Sequence, residues 1–277
     1  MSSILTNNSA MTALQTLQQI NSNLNTTQDQ ISTGLKIQSA KDNASYFAIS
    51  QSMKGDSGMY KQINESLTMT KNSVSTASLG AQTVNDLAQQ FAEQVSFAQG
   101  TSVDHVKIQA TLDSLVAQMN TTIAQATFNG NNLVASSSAV TVVTGITREG
   151  GTFGTTTMTF NMVNLKAIAS TLATIKIGSA GVTASTLATA LDTAQTQLTA
   201  AINSATTLGV AQTSLDTQQT FLGKLTDQLD TGVGDMIDAN MEQEAAKLQS
   251  YQVQQQLATQ SLSIANRAPQ NILSLFR

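Results

Sequence analysis

Cysteine and tryptophan are absent from the 277 residues, proline and histidine occur once each, and only 11% of the chain is charged. The missing cysteine excludes thiol catalysis, a disulfide framework and thiolate zinc sites, while leaving the redox compartment open. The one histidine, His105, would need a nucleophile and an orienting acid to act as a catalytic base. No such set is identifiable, so it reads as an exposed polar residue in the first turn of a helix. With 13 basic and 17 acidic residues the net charge is -4, and like charges nowhere run together, so the chain offers little to a phosphate backbone or an anionic bilayer. Neither nucleic-acid binding nor membrane insertion is expected, and no stretch of about 18 apolar residues is present. The opening MSSILTNNSAMTALQ has neither the basic nor the continuous apolar segment of a cleavable leader, so export would have to use another route.

What fills the place of charge is Ser, Thr, Asn and Gln. Soluble domains usually carry about 25% charged residues. An uncharged polar surface desolvates more cheaply than a charged one, which suits a molecule whose outside becomes an interface. No constellation supports an enzyme, a metal or a cofactor. The acidic cluster Asp227, Asp230, Asp235, Asp238, Glu242 and Glu244 lacks EF-hand spacing and reads as a solvated or intersubunit face. The glycines of GITREGGTFG, 145–154, lead into TTTMTF rather than a helix and carry no GK[ST], so they read as a hairpin turn rather than a phosphate loop.

Apolar side chains fall at alternating intervals of three and four through Tyr60, Ile63, Leu67, Val74, Ala77, Ala81, Val84, Ala88, Phe91, Val95 and Ala98, with Thr70 the one break. This predicts a long helix packed on other helices, entered near Asp56 and Ser57 and closed by Gly100. A helix of about 43 residues spans roughly 65 Å, which implies an elongated molecule. A second helix is predicted from Ser102 or Asp104 through Ile108, Leu112, Leu115, Met119, Ile123 and Ala126, stopped by Asn129-Gly130. The segments VTVVTGIT, GTFGTTTMTFNMV and TIKIGSAGVT are β-branched and glycine-interrupted and predict short strands and hairpins, although 164–174 could equally be a short helix. The seam resumes at Leu187, Leu191, Ala194, Leu198, Ala201, Ala205 and Leu208, passes Gln212 off-pattern, and continues through Leu215, Leu222, Leu229, Val233 and Met236. GVGD, 232–235, reads as a joint.

Both ends carry seven-residue repeats, Leu17, Leu24 and Ile31 at one and Met241, Leu248, Gln255 and Leu262 at the other, with Ala258 and Ala265 at small positions. They predict two amphipathic helices, disordered in a free chain and ordered where neighbouring copies supply more surface. The apolar tail Leu273, Leu275 and Phe276 then reads as a packing element of an assembly. The fold class expected is mainly α: an elongated bundle of long coiled-coil helices from both chain ends, with a small β-hairpin region in the middle.

ISTGLKIQSAKDNASYFAIS, 31–50, resembles the N-terminal signature of bacterial flagellin. TFNGNNLV, 127–134, is similar to the FNG-containing turn of that family, LGVAQTSLD, 208–216, to its LGA-x-Q-x-x-L-D segment, and NMEQEAAKLQSYQVQQQLATQSLSIANRAPQNILSLFR, 240–277, to its C-terminus. The resemblance covers about 1–135 and 185–277 and omits the β-rich middle. It implies a short flagellin without large outer domains: an N-terminal inner-core helix, 1–42; a connecting segment, 43–55; two shell helices, 56–130; a variable β-rich segment, 131–182; a long shell helix, 183–232; and a C-terminal inner-core helix, 233–277.

The resemblance further implies a homopolymeric helical filament for swimming motility, outside the cell. Its partners would be the flagellar cap, the hook-filament junction proteins, an export chaperone and the type III export apparatus. Leu17, Leu24, Ile31, Leu248, Leu262 and Leu275 are assigned on this basis to the inner coiled coil, and Ser39, Ala40, Lys41 and Asp42 to the connection between inner and outer layers. Ser136, Ser137, Ser138, Thr155, Thr156 and Thr157 are candidate O-glycosylation acceptors. Two other readings remain: the hook-filament junction protein, which shares the N-terminal pattern but not the match at 240–277, and a helical signalling module, which would bring spans or a polar hairpin tip.

Overall fold

The computed structural model describes residues 7–149, 152–179 and 182–275. In chain order the elements are helices α1 (Asn8–Thr33), α2 (Ala44–Phe97) and α3 (His105–Gln125), strands β1 (Thr127–Phe128), β2 (Asn131–Asn132), β3 (Ala139–Glu149) and β4 (Thr152–Asn161), then α4 (Leu165–Ala173), α5 (Ala184–Ile237) and α6 (Met241–Leu275). The architecture is mainly α with two small antiparallel strand pairs. The chain divides into two compact units, residues 1–56 with 228–277 and residues 57–227. Long helices α2 and α5 contribute to both.

In the second unit the three-four seam becomes a core. Leu67, Val74, Ala77, Ala81, Val84, Ala88, Phe91, Val95 and Ala98 of α2 and the segment after it are buried together with Leu112 and Met119 of α3, Leu165 and Leu172 of α4, and Ala194, Ala201, Leu208, Leu215 and Leu222 of α5. Small residues let the elements approach closely. A β-carbon added at Gly80 would lie 2.6 Å from that of Ala126, inside van der Waals contact. The off-pattern Gln212 is half-buried, and Ala211 beside it takes the core position.

Helix α3 starts as expected, its N-cap Asp104 accepting from the amides of Val106 and Lys107. It ends at Gln125, so Asn129-Gly130 is not its stop. Both residues have positive φ, 49° and 80°, and they turn the two-residue hairpin β1–β2, in which Phe128 pairs with Asn131, as a type I′ turn requires. Strands β3 and β4 pair from Ala139 with Asn161 to Glu149 with Thr152, with one irregularity between Val143 and Gly145. At that bulge Gln218 donates to the Thr144 carbonyl at 2.8 Å and the Tyr60 hydroxyl to the Ile146 carbonyl at 3.2 Å, fastening the hairpin to α5 and α2.

Four expectations are corrected. First, α2 begins at Ala44 rather than near Asp56, so 44–55, expected as a connecting segment, are helical. Asn43 caps them by accepting from the amides of Ser45 and Tyr46. Second, α5 runs through GVGD to Ile237. The two glycines there are sites of close approach, Gly232 to the Met53 methyl and Gly234 to the Asp238 carboxylate, and the break falls after Ile237.

Third, TIKIGSAGVT forms no strand among its described residues. Ile175 and Ile177 are buried, and their backbone is paired by one side chain, Gln109, which accepts from the Ile177 amide at 2.7 Å and donates to the Ile175 carbonyl at 3.4 Å. A single glutamine amide stands in for a neighbouring strand. Gln109→Leu is expected to leave the Ile177 amide unpaired and to lower the unfolding free energy by about 2 kcal/mol, read as an earlier denaturant midpoint. Fourth, His105 is half-buried rather than exposed, with Nε2 2.9 Å from the Ala98 carbonyl, so it helps to close the end of α2.

Candidate assembly surface

In the first unit α1 packs against α6. Helix α1 opens on Asn7, whose side chain accepts from the Ala10 amide, and closes on Gly34 in the left-handed region at φ 73°. Its seam positions, buried or half-buried, are Ala10, Ala13, Leu17, Ile20, Leu24, Thr27 and Ile31, spaced by three and four, with Asn21, Asn23 and Gln30 half-buried beside them; those of α6 are Glu244, Leu248, Tyr251, Gln255, Ala258, Leu262 and Ala265, spaced by four and three. Spacing of this kind defines the seam of a two-helix coiled coil. Leu24 is buried, and Leu17, Ile31, Leu248 and Leu262 are half-buried on these stripes; the side chain of Leu275 lies outside the described residues.

The seven-residue repeats exposed half of each seam in the sequence. Ala258 and Ala265 already stood beside the repeat as small positions, and Thr27 on α1 with Glu244 and Tyr251 on α6 follow by adding the intermediate position of each heptad. Met241, on the repeat, is exposed, and Glu244 is buried in its place.

Between α1 and α2, residues 34–43 turn back across the end of α5. The amides of Lys36 and Ile37 donate to the Ile237 carbonyl, and that of Ala239 to Gly34. Ile37, Val233 and Ile237 form a small core with Leu35, Phe47, Met53 and Met236 against it. Ser39, Ala40, Lys41 and Asp42 are all exposed, and Asp42 organises them: one carboxylate oxygen accepts from the amides of Ser39 at 3.0 Å and Gln38 at 3.1 Å and from the Ser39 hydroxyl at 3.1 Å.

The Ser39 amide, then the Gln38 amide, hold the Asp42 carboxyl below its ordinary pKa of 3.8. A carboxylate with a lowered folded pKa stabilises the turn above its unfolded pKa, and the effect is lost as pH falls through the folded value. Amide exchange at Gln38 and Ser39, normalised for intrinsic rates, is therefore expected to be protected near neutral pH and to lose protection as pH is lowered below about 4. In Asp42→Asn that pH dependence should disappear.

Two further features bear on assembly. Val253, Leu257 and Ile264 of α6 are 56%, 57% and 71% exposed, and at helical periodicity they lie on the face away from the seam, so α6 carries two apolar faces and α1 covers one. In addition, many hydroxyls of the polar surface are already satisfied by their own helix: Thr68, Thr76, Thr206, Thr213 and Thr217 each donate to the carbonyl four residues earlier. A hydroxyl bonded in this way brings no stranded donor into an interface.

Of the candidate acceptors, Ser137, Ser138, Thr155, Thr156 and Thr157 are exposed and Ser136 is half-buried. Thr155, Thr156 and Thr157 lie on β4, and Thr156 also accepts from the Thr144 hydroxyl. No three acidic or histidine side chains cluster to hold a metal among the described residues, and no helix there is long and apolar enough to cross a membrane.

The family described as the bacterial flagellin N-terminal helical region matches residues 4–139, and that described as the bacterial flagellin C-terminal helical region matches residues 188–276. A flagellin of Brucella melitensis is 37% identical over 281 residues, covering all of both chains. The flagellin FljK of Caulobacter vibrioides is 37% identical over 280 residues, covering all of this chain and 99% of the relative, and flagellin C of Rhizobium meliloti is 31% identical over the whole of both.

Proposed function

The chain belongs to the bacterial flagellin family, as a short form and a structural subunit of the flagellar filament, and from that premise we propose how its parts divide the work. The α1–α6 pair supplies the inner coiled coil, with Leu17, Leu24, Ile31, Leu248, Leu262 and Leu275 as its apolar seam. The helices of residues 57–227 supply the shell around it, with the β3–β4 hairpin in the variable segment. Ser39, Ala40, Lys41 and Asp42 shape the connection between the layers, Asp42 by fixing the turn.

The observation that carries this reading is the second apolar face of α6. A subunit that binds a different patch on its neighbour makes a heterologous contact, and where the rotation does not close, an open helical filament grows. Val253, Leu257 and Ile264 offer such a patch. The self-bonded threonines of the residue 57–227 unit lower the cost of covering its own surface.

The finer assignments follow from the family: export of the unfolded chain through the type III apparatus with the help of a chaperone, growth under a cap, attachment through the hook-filament junction proteins, and a place outside the cell. Ser136, Ser137, Ser138, Thr155, Thr156 and Thr157 remain candidates for O-linked sugars.

Negative-stain electron microscopy of the full chain beside one ending at residue 271, both seeded in precipitating salt, tests the reading. Filaments from the full chain and short or no filaments from the truncated one are expected. Discrete particles from the full chain under every condition would overturn the assignment of these surfaces.

A further inference from the structure

The α1–α6 seam is poor in large apolar side chains. Ala10, Ala13 and Thr27 on one helix and Ala258, Ala265, Gln255 and Glu244 on the other occupy positions where coiled coils usually place leucine or isoleucine. Two polar contacts cross between the helices: the Gln255 amide donates to the Asn21 side-chain oxygen at 2.6 Å, half-buried at the seam, and the Asn7 amide donates to the Ala265 carbonyl at 2.8 Å. Together they run the helices antiparallel. In that register Ala13 falls level with Leu262, Leu17 with Ala258, and Leu24 with Tyr251.

Apolar packing alone discriminates weakly against a slip of one heptad, about 10 Å along the axis. Slipped, Leu17 meets Tyr251 and Ile20 meets Leu248, replacing their native neighbours Ala258 and Gln255, while Leu24 meets Glu244. What the slip cannot reproduce is the amide pair, because Gln255 then lies level with Ala13 and has no side-chain acceptor. A half-buried polar group beside a seam disfavours a register that leaves it without a partner.

We propose that the Asn21–Gln255 hydrogen bond holds the middle of the terminal helix pair in register, in concert with the Ala239–Gly34 backbone bond at the closed end of the pair, with apolar packing supplying affinity rather than alignment. The inference rests on the observed pairing of α1 with α6 and on its place in the filament core. It explains why a seam that must hold every subunit in the same alignment carries Gln255, with Asn21 beside it, where a leucine would bind more tightly.

The absence of native cysteine makes the test direct. Ala10→Cys with Ala265→Cys reports the native register, and Ala10→Cys with Ala258→Cys reports the one-heptad slip; all three alanines are small seam residues. Each pair is oxidised in polymerised protein, and the intrachain product is read as a fast-migrating monomer band on a non-reducing gel. With Asn21 and Gln255 in place, only the first pair should close. With Asn21→Leu and Gln255→Leu together, the slipped pair is expected to rise from background to a major product, and the exchanged pair Asn21→Gln with Gln255→Asn should return it towards background.

Should the double leucine chain fail to polymerise, Asn21→Ala alone breaks the bond without adding volume and is scored in the same way. Persistence of the native cross-link alone in both variants would overturn the proposal and assign register to the Ala239–Gly34 end of the pair and the apolar side chains. Filament formation, scored separately by microscopy, distinguishes a wrong register from a wrong assembly assignment.

Discussion

Leu24→Asp is expected to abolish filament formation while leaving the residue 57–227 unit folded. Leu24 is 9% exposed at the middle of the α1 seam, with Ile20 and Thr27 buried on either side. The substitution removes about 2 kcal/mol of apolar burial and places a carboxylate among side chains that cannot pair it. Desolvating an unpaired charge costs more than the lost leucine. Because the seam is already short of large apolar groups, it has little reserve, and a 26-residue helix with half its positions exposed will not hold by propensity alone. The core of the other unit uses neither α1 nor α6, so its thermal transition should be unchanged. Sedimentation of seeded polymer together with near-ultraviolet circular dichroism reads both halves of the prediction. Wild-type polymer yield from Leu24→Asp would remove α1 from the assembly core.

How much of this was legible in the sequence depended on whether one residue or a pattern carried the structure. The helical seams are patterns: eleven apolar positions between Tyr60 and Ala98 repeat one interval, and all of them are buried or half-buried in the structure. The end of α2, the cap of α3 and the β3–β4 hairpin were equally open, each marked by its own turn or cap chemistry. Single-residue decisions were not. Asn43 starts α2 because its side chain reaches two amides, yet the stretch that follows, with Tyr46, Phe47, Ile49 and Met53, has no regular apolar period to announce a helix.

Gly232 and Gly234 carry the usual signature of a break, but here they admit Met53 and Asp238, and only the tertiary neighbours show it. TIKIG has the composition of a strand and lacks a partner strand, since Gln109 takes that place from a helix. The candidate site divides in the same way. Leu17, Leu24, Leu248 and Leu262 repeat at seven, while Asn21, whose partner Gln255 lies far away in sequence, carries no local signal at all.

The polar composition and the exposed stripe belong to one physical argument. A monomer that must stay soluble and then be enclosed by copies of itself cannot rely on charge, because each buried ion would need a partner in every lattice position. Uncharged groups that already bond their own backbone meet both conditions. Lys71 with Asp216 and Lys176 with Asp113 join segments within the residue 57–227 unit, and at such exposure each contributes little. Cohesion of that unit therefore falls on its apolar seam.

Phe91→Ala follows as the most damaging single truncation there. Phe91 is fully buried and is the largest of the fully buried side chains; it sits on α2 among residues drawn from all the helices of that unit. Removing its ring costs about 3–5 kcal/mol in lost burial and cavity, against a total stability on the order of 5–15 kcal/mol for a domain. The unpolymerised chain should show a melting temperature lower by about 10 °C or more. In the filament the same substitution should matter less at equal protein concentration, because binding to neighbours stabilises the folded state by mass action. The critical concentration for polymerisation should rise only where the substitution leaves the monomer so unstable that unfolded chains form a sizeable part of its pool. Calorimetry of monomer and filament, with sedimentation across a concentration series, separates the two effects. An unchanged monomer transition would mean that the α2 seam is not the core on which this unit depends.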